Sequence, residues 1–205
     1  MSAPQFPRLY LASASPRRRE LLLQIGLPHL LLPQQVDESV CAGESALPYV
    51  QRLAEQKAAA GWRDSRRLLD LPVLAADTTV VCEGSVLGKP ASLAEAREML
   101  GLLSARTHQV LTAIAVRQGE QVQKTVVSTE VSFRKLTLAE IDAYWSSGEP
   151  GDKAGAYGIQ GEAALFVQRV SGSYSNVVGL PLFETAQMLE LFGISCISIL
   201  KGCSA

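Results

Sequence analysis

A short basic segment near the start of the chain carries residue types that bind phosphate. Residues 13–21 read SASPRRREL, in which two serines precede a proline and three consecutive arginines, Arg17, Arg18 and Arg19. Proline is a common first residue of a helix, so the arginines fall in an opening turn, where each cation costs roughly a few tenths of a kcal/mol against the helix dipole. An anion bound to the free backbone N–H groups reverses that penalty. The segment therefore predicts a phosphate site, and the alternative is that the arginines are solvated surface residues.

A second candidate is the carboxylate of Asp77, which follows an apolar run. Residues 73–76 read VLAA, a pattern typical of a buried strand. In open α/β sheets, ligands bind beyond the carboxyl ends of the strands. We therefore expect Asp77 to lie at a strand end and to hold a metal ion or orient a water molecule. The alternative is an ordinary aspartate that caps the strand.

A lysine-containing segment follows Asp77 and superficially resembles a P-loop. Residues 84–90 read GSVLGKP, but only three residues separate the glycines, and Pro90 stands where a P-loop needs a serine or threonine for magnesium. The sequence therefore excludes a P-loop. Lys89 remains a candidate point charge for phosphate, or else a surface lysine.

A glycine-rich segment provides the last candidate. Residues 152–161 read DKAGAYGIQG, and the glycines at 155, 158 and 161 predict a backbone that approaches a ligand closely. The amide of Gln160 can both donate and accept a hydrogen bond, as is needed to recognise the edge of a base. Tyr157 can stack on a base or pack into the core.

The composition excludes several function classes. The chain has 205 residues, 47% of them hydrophobic, which predicts one domain over residues 1–205 with its core at about 8–200 and frayed ends. Its 19 basic and 20 acidic residues leave a net charge of −1, so we expect neither nucleic acid nor a membrane as partner. The two histidines and four cysteines lack zinc-site spacing, and His108 is expected to be structural. Without a signal peptide or an apolar span of roughly 20 residues, a cytoplasmic location is expected.

Alternating strand-like and helix-like segments predict an α/β fold that positions these candidates. Strands are predicted at residues 9–12, 30–32, 72–76, 78–82, 85–87, 108–116, 122–133 and 165–170. Helices are predicted at residues 16–26, 46–60, 92–103, 137–148 and 181–192. Two capping boxes, Ser92 with Glu95 and Thr137 with Glu140, predict the starts of the third and fourth helices.

Four segments taken in order, LYLASASPRRRELL, ADTTV with LGKP, DKAGAYGIQG and GSYSNVVGLPL, resemble the Maf family over nearly the whole chain. The resemblance implies a fold similar to the inosine triphosphate pyrophosphatases, a mixed twisted sheet with flanking helices and two lobes around an elongated cleft. It also implies hydrolysis of a nucleoside triphosphate between its α and β phosphates. The form KAGAYGIQG is similar to the branch that acts on dTTP and UTP, and differs from the branch that prefers methylated GTP.

The resemblance assigns roles to particular residues. Asp77 resembles the catalytic carboxylate and metal ligand, with Lys89 and Glu38 beside it in catalysis. Phosphate-side and specificity positions are implied for a further set of residues: Ser13, Arg17, Arg18, Lys57, Thr78 and Gln160. A triphosphate carries about four negative charges, so a divalent metal cation, magnesium or manganese, is the expected cofactor. The relatives imply a homodimer.

Two alternatives to this interpretation remain open from the sequence. The chain is either the pyrophosphatase or a non-catalytic nucleotide-binding regulator of cell division and septum formation. If it is the enzyme, its preferred substrates include ordinary or modified pyrimidine nucleotides, which the sequence does not rank.

Overall fold

The structure of the protein is a computed structural model that describes residues 6–196. Within that range the strands are β1 Leu9–Leu11, β2 His29–Leu31, β3 Val73–Cys82, β4 Ser85–Leu87, β5 Thr107–Gln118, β6 Gln121–Phe133 and β7 Val167–Ser171. They form one mixed sheet in the order β2-β1-β3-β5-β6-β7, with β4 paired to β3. Expectations for the chain ends, including Cys203, lie largely outside the described residues.

Helices cover the sheet, as predicted for an α/β fold. They are α1 Pro16–Gln24, α2 Ala46–Arg63, α3 Leu93–Leu103, α4 Leu138–Ser146, α5 Tyr174–Val178 and α6 Leu182–Glu190. Three short 3₁₀ helices lie between α4 and β7, at Glu149–Asp152, Ala154–Ala156 and Glu162–Leu165. No helix in the described range is both long and apolar enough to cross a bilayer.

The two predicted capping boxes had different outcomes. At α4 the box is complete, because Thr137 Oγ1 accepts from the Glu140 N–H and the Glu140 carboxylate accepts from the Thr137 N–H. At α3 only half of it forms: Ser92 Oγ accepts from the Glu95 N–H, but the Glu95 carboxylate accepts from the N–H of Ala91. Both arrangements satisfy free donors at a helix start.

The starts of α6 and β7 also differ from the prediction, whereas the start of α1 does not. Helix α1 begins at Pro16 as predicted, but the Ser15 side chain makes no capping hydrogen bond. Pro181 is the residue before α6, and Leu165 ends a 3₁₀ helix, so β7 begins two residues later. Helix α5 was not predicted, because five residues are too few for a helical period to appear in the sequence.

The expectation that Asp77 ends a strand is wrong. Strand β3 continues through Asp77 to Cys82, since its antiparallel pairing with β5 runs from Val73 to Val81. The parallel pairing of β3 with β1, however, ends at Leu74. Asp77 therefore lies beyond the end of the parallel part of the sheet while remaining inside its strand.

Two lobes form because β3 and β5 pack against different helices at their two ends. At one end, α1 and α6 cover one face and α2 the other, burying Leu74 and Ala76 on one side and Val73 and Ala75 on the other. At the opposite end, Val80 packs into a separate core with α3, α4 and β4. The predicted two-lobed mixed sheet with flanking helices is confirmed, and Asp77 lies at the junction of its lobes.

Helix α2 approaches β3 unusually closely at Gly61. A Cβ atom there would lie 2.8 Å from Cγ1 of Val73 and 3.2 Å from Cβ of Ala12, so any larger residue would move the helix outward. Val50, Ala54 and Ala58 are buried at intervals of one helical turn and face the same sheet surface. This packing places Lys57 of α2 beside Asp77.

Candidate active site

A cleft of about 860 Å³ opens at the junction of the two lobes. It is lined by the turn after β1, by α2, by residues 77–80 of β3, by the segment after β4, by residues 149–161 and by the end of α5. The nine side chains singled out from the sequence all line this cleft: Ser13, Arg17, Arg18, Glu38, Lys57, Asp77, Thr78, Lys89 and Gln160. The basic turn and Asp77 therefore share one groove, as the sequence interpretation requires.

Arg18 is fixed across the cleft by hydrogen bonds from three nitrogen atoms. Its Nε donates to the carbonyl of Gly179 at 2.8 Å, Nη2 to Thr78 Oγ1 at 3.0 Å and Nη1 to Ser13 Oγ at 3.3 Å. Burial lowers the pKa of Arg18, and the nearby charge of Asp77 opposes that effect. Three of about five N–H donors are used by the protein, so Arg18 presents a rigid charge with about two donors left for a ligand.

The neighbouring arginines differ in their position. Arg17 lines the cleft and its Nη1 lies 3.4 Å from Oδ2 of Asp152, a residue on the opposite wall. Arg19 is exposed and is not among the residues that line the cleft. The alternative of a solvated surface residue therefore applies to Arg19, while Arg17 and Arg18 face the groove.

A chain of alternating charges runs from Asp77 through Lys57 and Glu38 to Lys89. Lys57 Nζ lies 2.6 Å from Oδ1 of Asp77 and 2.6 Å from Oε1 of Glu38. Lys89 Nζ lies 3.7 Å from the other carboxylate oxygen of Glu38. Burial raises the pKa of Glu38, but the hydrogen bond and charge of Lys57 outweigh it, so the pKa is lowered overall.

The Lys57–Asp77 pair is buried, whereas Lys89 is accessible. The Lys57 and Asp77 side chains are 10% and 11% exposed, against 59% for Lys89. The two charges of a buried pair stay together, because separating them would leave each one buried without a counter-charge. Lys57 and Asp77 are therefore preorganised, and Lys89 is free to move towards an incoming anion.

Thr78 connects the cleft to a buried polar network. Its hydroxyl accepts from Arg18 and lies 2.9 Å from Thr112 Oγ1, which donates to the carbonyl of Asn176 at 2.9 Å. Thr112 and Asn176 are fully buried. In this arrangement the Thr78 hydroxyl is occupied within the protein, and it holds the guanidinium of Arg18.

The glycines of residues 152–161 make room for the protein itself. A Cβ at Gly155 would lie 2.9 Å from Val80 Cγ2, and one at Gly158 would lie 2.7 Å from Lys153 Cε. At Gly161 an added Cβ would collide with the carboxylate of Glu149. The sequence interpretation that these glycines admit a ligand is therefore incomplete, because the close approaches seen are to Val80, Lys153 and Glu149.

Tyr157 and Gln160, whose roles the sequence left open, lie in different surroundings. Tyr157 is 5% exposed and lies in the core, where its hydroxyl is 2.8 Å from Nε2 of His108. Burial raises the pKa of Tyr157 and lowers that of His108 to about 4, so a structural His108 is consistent with its setting. Gln160 is exposed and lines the cleft, so its amide is available to a ligand.

Sequence reasoning missed three charged side chains of the cleft, namely Glu149, Asp152 and Lys153. Lys153 Nζ lies 2.6 Å from Asp152 Oδ1 and donates to the Glu149 carbonyl at 3.0 Å. Asp152 thus stands between Lys153 and Arg17. The position of Lys153 inside the glycine-rich motif, two residues before its first glycine, was a usable signal. Glu149 lies before the motif, and only tertiary packing brings it in.

The charges of the cleft fit a divalent cation brought in with a polyanion. Among the described residues, the lining includes five cations, Arg17, Arg18, Lys57, Lys89 and Lys153, and four carboxylates, Glu38, Asp77, Glu149 and Asp152. Within residues 6–196 no three histidine, cysteine or acidic side chains form a ready metal cage. Magnesium typically binds through one or two carboxylates and substrate phosphates, so Asp77 with Glu38 is a sufficient donor set.

The chain is similar to one known family and to three known proteins. The family described as Maf-like protein matches residues 8–192. A dTTP/UTP pyrophosphatase of Bordetella parapertussis is 54% identical over 92% of this chain and 94% of its own length. One of Methylococcus capsulatus is 51% identical over 95% and 96%. A structure of the Staphylococcus aureus Ham1 protein aligns with a TM-score of 0.38 and 18% identity over 60% of this chain and 71% of that one, a likeness too slight to bear on the fold.

Proposed function

The chain belongs to the Maf family, and from that premise we propose that it is a nucleoside triphosphate pyrophosphatase that hydrolyses dTTP and UTP to the monophosphate and diphosphate. Relatives 51–54% identical to it carry the name dTTP/UTP pyrophosphatase. The observation within this chain that supports the proposal most strongly is the single cleft that joins the basic turn, Lys57 and Lys89 to Asp77.

In the proposed complex the triphosphate lies along the turn after β1. The N-terminus of α1 offers backbone N–H groups and a positive dipole end, and Arg17 and Arg18 add guanidinium donors. Lys89 is exposed and can follow the charge that develops on the departing diphosphate. The cations therefore act on the oxygens that gain charge during cleavage.

Asp77 is proposed to direct the attacking water. A bond forms between the water oxygen and the α phosphorus as one water proton is released to the solvent. The bond from that phosphorus to the bridging oxygen breaks, and the diphosphate leaves with the electron pair. The hydrogen bond from Lys57 fixes the Asp77 carboxylate in place, and Glu38 holds Lys57 from its other side. A carboxylate held in one place can hold the water in line with the α phosphorus, and this positioning speeds hydrolysis.

A divalent cation, magnesium or manganese, is proposed as the cofactor. Asp77 would hold the ion together with the substrate phosphates. Glu38, which shares Lys57 with Asp77, lies close enough to be a second ligand. The five cations and four carboxylates among the described lining residues leave an excess of about one positive charge against about four negative charges on the nucleotide. When bound, the ion would supply the missing positive charge and polarise the phosphate oxygens.

Pyrimidine specificity is proposed to reside at Gln160, Thr78 and Arg17. Gln160 has a free amide in the cleft, while Thr78 acts through Arg18 because its hydroxyl is already bonded there. Modified pyrimidine triphosphates are candidate substrates of the same site, since an amide that pairs with the polar edge of a base tolerates additions elsewhere on the ring.

The alternative hypothesis is a nucleotide-binding regulator that does not turn its ligand over. Such a protein gains nothing from a buried carboxylate beside a polyanion, because like charges weaken binding unless a metal ion intervenes. The position of Asp77 in the same groove as Arg17 and Arg18 favours the enzyme. UTP binding without diphosphate release after prolonged incubation would support the regulator instead.

The proposal is tested with purified protein and a panel of nucleoside triphosphates, assayed for diphosphate with and without magnesium. We expect dTTP and UTP to be the best substrates and the activity to require the metal ion. Asp77→Asn is expected to lower kcat by about 10²- to 10⁴-fold with the fold intact. Asp142→Asn is the matched control, because Asp142 of α4 pairs with Arg97 of α3 and does not line the cleft.

Full turnover by Asp77→Asn would remove Asp77 from the mechanism while leaving the enzyme class open.

A homodimer is proposed as the assembly, and light scattering after size-exclusion chromatography tests it. A mass equal to one chain at micromolar concentration would contradict the dimer.

A further inference from the structure

The carboxylate of Glu149 is bonded on both sides of the segment that carries Gln160. Its Oε2 accepts from the backbone N–H of Glu162 at 2.9 Å. Its Oε1 accepts from the hydroxyl of Tyr144 at 2.7 Å, and that hydroxyl accepts from the backbone N–H of Gly158 at 3.2 Å. Two residues before Gln160 and two residues after it, the backbone is therefore anchored to one carboxylate.

The backbone also wraps tightly around this side chain. A Cβ at Gly161 would overlap the Glu149 carboxylate, and a Cβ at Gly158 would lie 3.1 Å from its Oε1. Residues 158 and 161 flank Gln160 closely, so only glycine at both places allows the segment to close on Glu149. The arrangement fixes the path of the backbone that presents the Gln160 amide.

Glu149 lines the cleft but is poorly suited to bind phosphate. Its negative charge repels a polyanion, and both of its oxygens already accept hydrogen bonds from the protein. Burial, and then the hydrogen bond to Glu149, raises the pKa of Tyr144, so its hydroxyl remains a donor at neutral pH. Both carboxylate oxygens of Glu149 therefore serve to hold residues 158–162 in place.

We propose that Glu149, acting with Tyr144, is a positioning residue that sets where Gln160 meets the base and thereby sets the selectivity among nucleobases. The inference rests on the proposed function, in which Gln160 recognises the base. It predicts that loosening the anchor changes which base is preferred while the phosphate side of the cleft, on the basic turn and Asp77, continues to work.

Three variants weaken the anchor to different extents. Glu149→Ala removes both acceptors. Glu149→Gln keeps the shape and one acceptor but presents an amide donor to the other partner. Tyr144→Phe removes only the hydroxyl and keeps the ring, whose centroid lies 5.1 Å from that of Phe166. Glu98→Gln, on the exposed surface of α3, is the matched control.

The measurement is kcat/KM for dTTP, UTP, CTP and GTP, with the melting temperature of every variant recorded. In Glu149→Ala and Tyr144→Phe we expect the ratio of kcat/KM for UTP over CTP to fall by about 10-fold, mainly through KM for UTP, with kcat for UTP within about 3-fold. Glu149→Gln should fall between these and the wild type, and Glu98→Gln should match the wild type.

An unchanged ratio in Tyr144→Phe and in Glu149→Gln, with kcat lowered equally for all nucleotides, would overturn the proposal and leave a purely structural role. These two variants decide the question if Glu149→Ala does not fold. If the wild type releases no diphosphate from any nucleotide, the proposed function fails separately. The ratio of the UTP and CTP dissociation constants, measured by calorimetry in the same variants, then decides the role of Glu149: a shift supports it, and no shift overturns it.

Discussion

The buried ion pair at the junction of the lobes leads to a quantitative prediction for Lys57→Met. Lys57 Nζ lies 2.6 Å from carboxylate oxygens of both Asp77 and Glu38, and the Lys57 and Asp77 side chains are only 10% and 11% exposed. Methionine keeps most of the length of the side chain but removes the charge, so a buried carboxylate loses its counter-ion. Breaking a buried pair from one side costs about 3–5 kcal/mol.

The free energy of unfolding, measured by urea denaturation at neutral pH, tests this magnitude. The matched control is Lys124→Met, because Lys124 Nζ also lies 2.6 Å from a carboxylate, that of Glu55, but the two side chains are 40% and 45% exposed. We expect the control to lose about 0–1 kcal/mol, as exposed pairs do. The contrast between the two variants isolates the effect of burial.

A double variant shows where the cost arises. Asp77→Asn added to Lys57→Met should recover part of the lost stability, because a neutral amide needs no counter-charge. The coupling between the two changes is expected to be about 1–3 kcal/mol. A loss below about 1 kcal/mol in Lys57→Met, or additive losses in the double variant, would refute the reasoning that Lys57 and Asp77 form a preorganised buried pair.

Three further predictions follow from the cleft and from the core behind it. Arg17→Ala should raise KM for UTP by about 10-fold, whereas Arg19→Ala, which alters an exposed neighbour outside the cleft, should leave KM unchanged in steady-state assays. Thr112→Val should lower kcat/KM with nucleotide because the hydroxyl network that holds Arg18 is broken, and Thr112→Ser should restore it; equal activity of both variants would contradict this role. Burial lowers the pKa of His108 from 6.5 to about 4, so its contribution to stability is present above pH 6.5 and is lost as the pH falls towards 4, by about 3 kcal/mol in total. Unfolding curves of His108→Phe should lack that part of the pH dependence, and an unchanged pH slope would count against it.

The parts of the site that follow from local sequence were predictable. Pro16 after a short apolar strand marks a helix start, so the position of Arg17 and Arg18 in an opening turn could be read from neighbouring residues alone. The complete capping box of Thr137 and Glu140 is equally local, since its two hydrogen bonds join residues three apart.

The position of Asp77 could not be read fully, because strand length depends on a distant partner. The apolar run ends at Ala76, and a polar residue there indicates a strand end. The strand nevertheless continues, since β5 offers hydrogen-bonding partners as far as Val81 and the polar side chains of Asp77 and Thr78 face the gap between the lobes.

The contacts of the glycine-rich segment could also not be predicted fully from the sequence. Glycines indicate a close approach of the backbone, but not what approaches it. Here the approaching groups are Val80, Lys153 and Glu149, and the first and last of these are outside the motif. Gln160, predicted from the sequence to recognise the base, lines the cleft, while the carboxylate that anchors its segment became visible only in the folded chain.

Analysis of the products formed from dTTP tests the central claim most directly. We expect dTMP and diphosphate in equal amounts, separated by ion-exchange chromatography, with formation dependent on a divalent cation and slowed by about 10²- to 10⁴-fold in Asp77→Asn. Orthophosphate with dTDP, or dTTP recovered unchanged from a protein that binds it, would contradict cleavage between the α and β phosphates at this cleft.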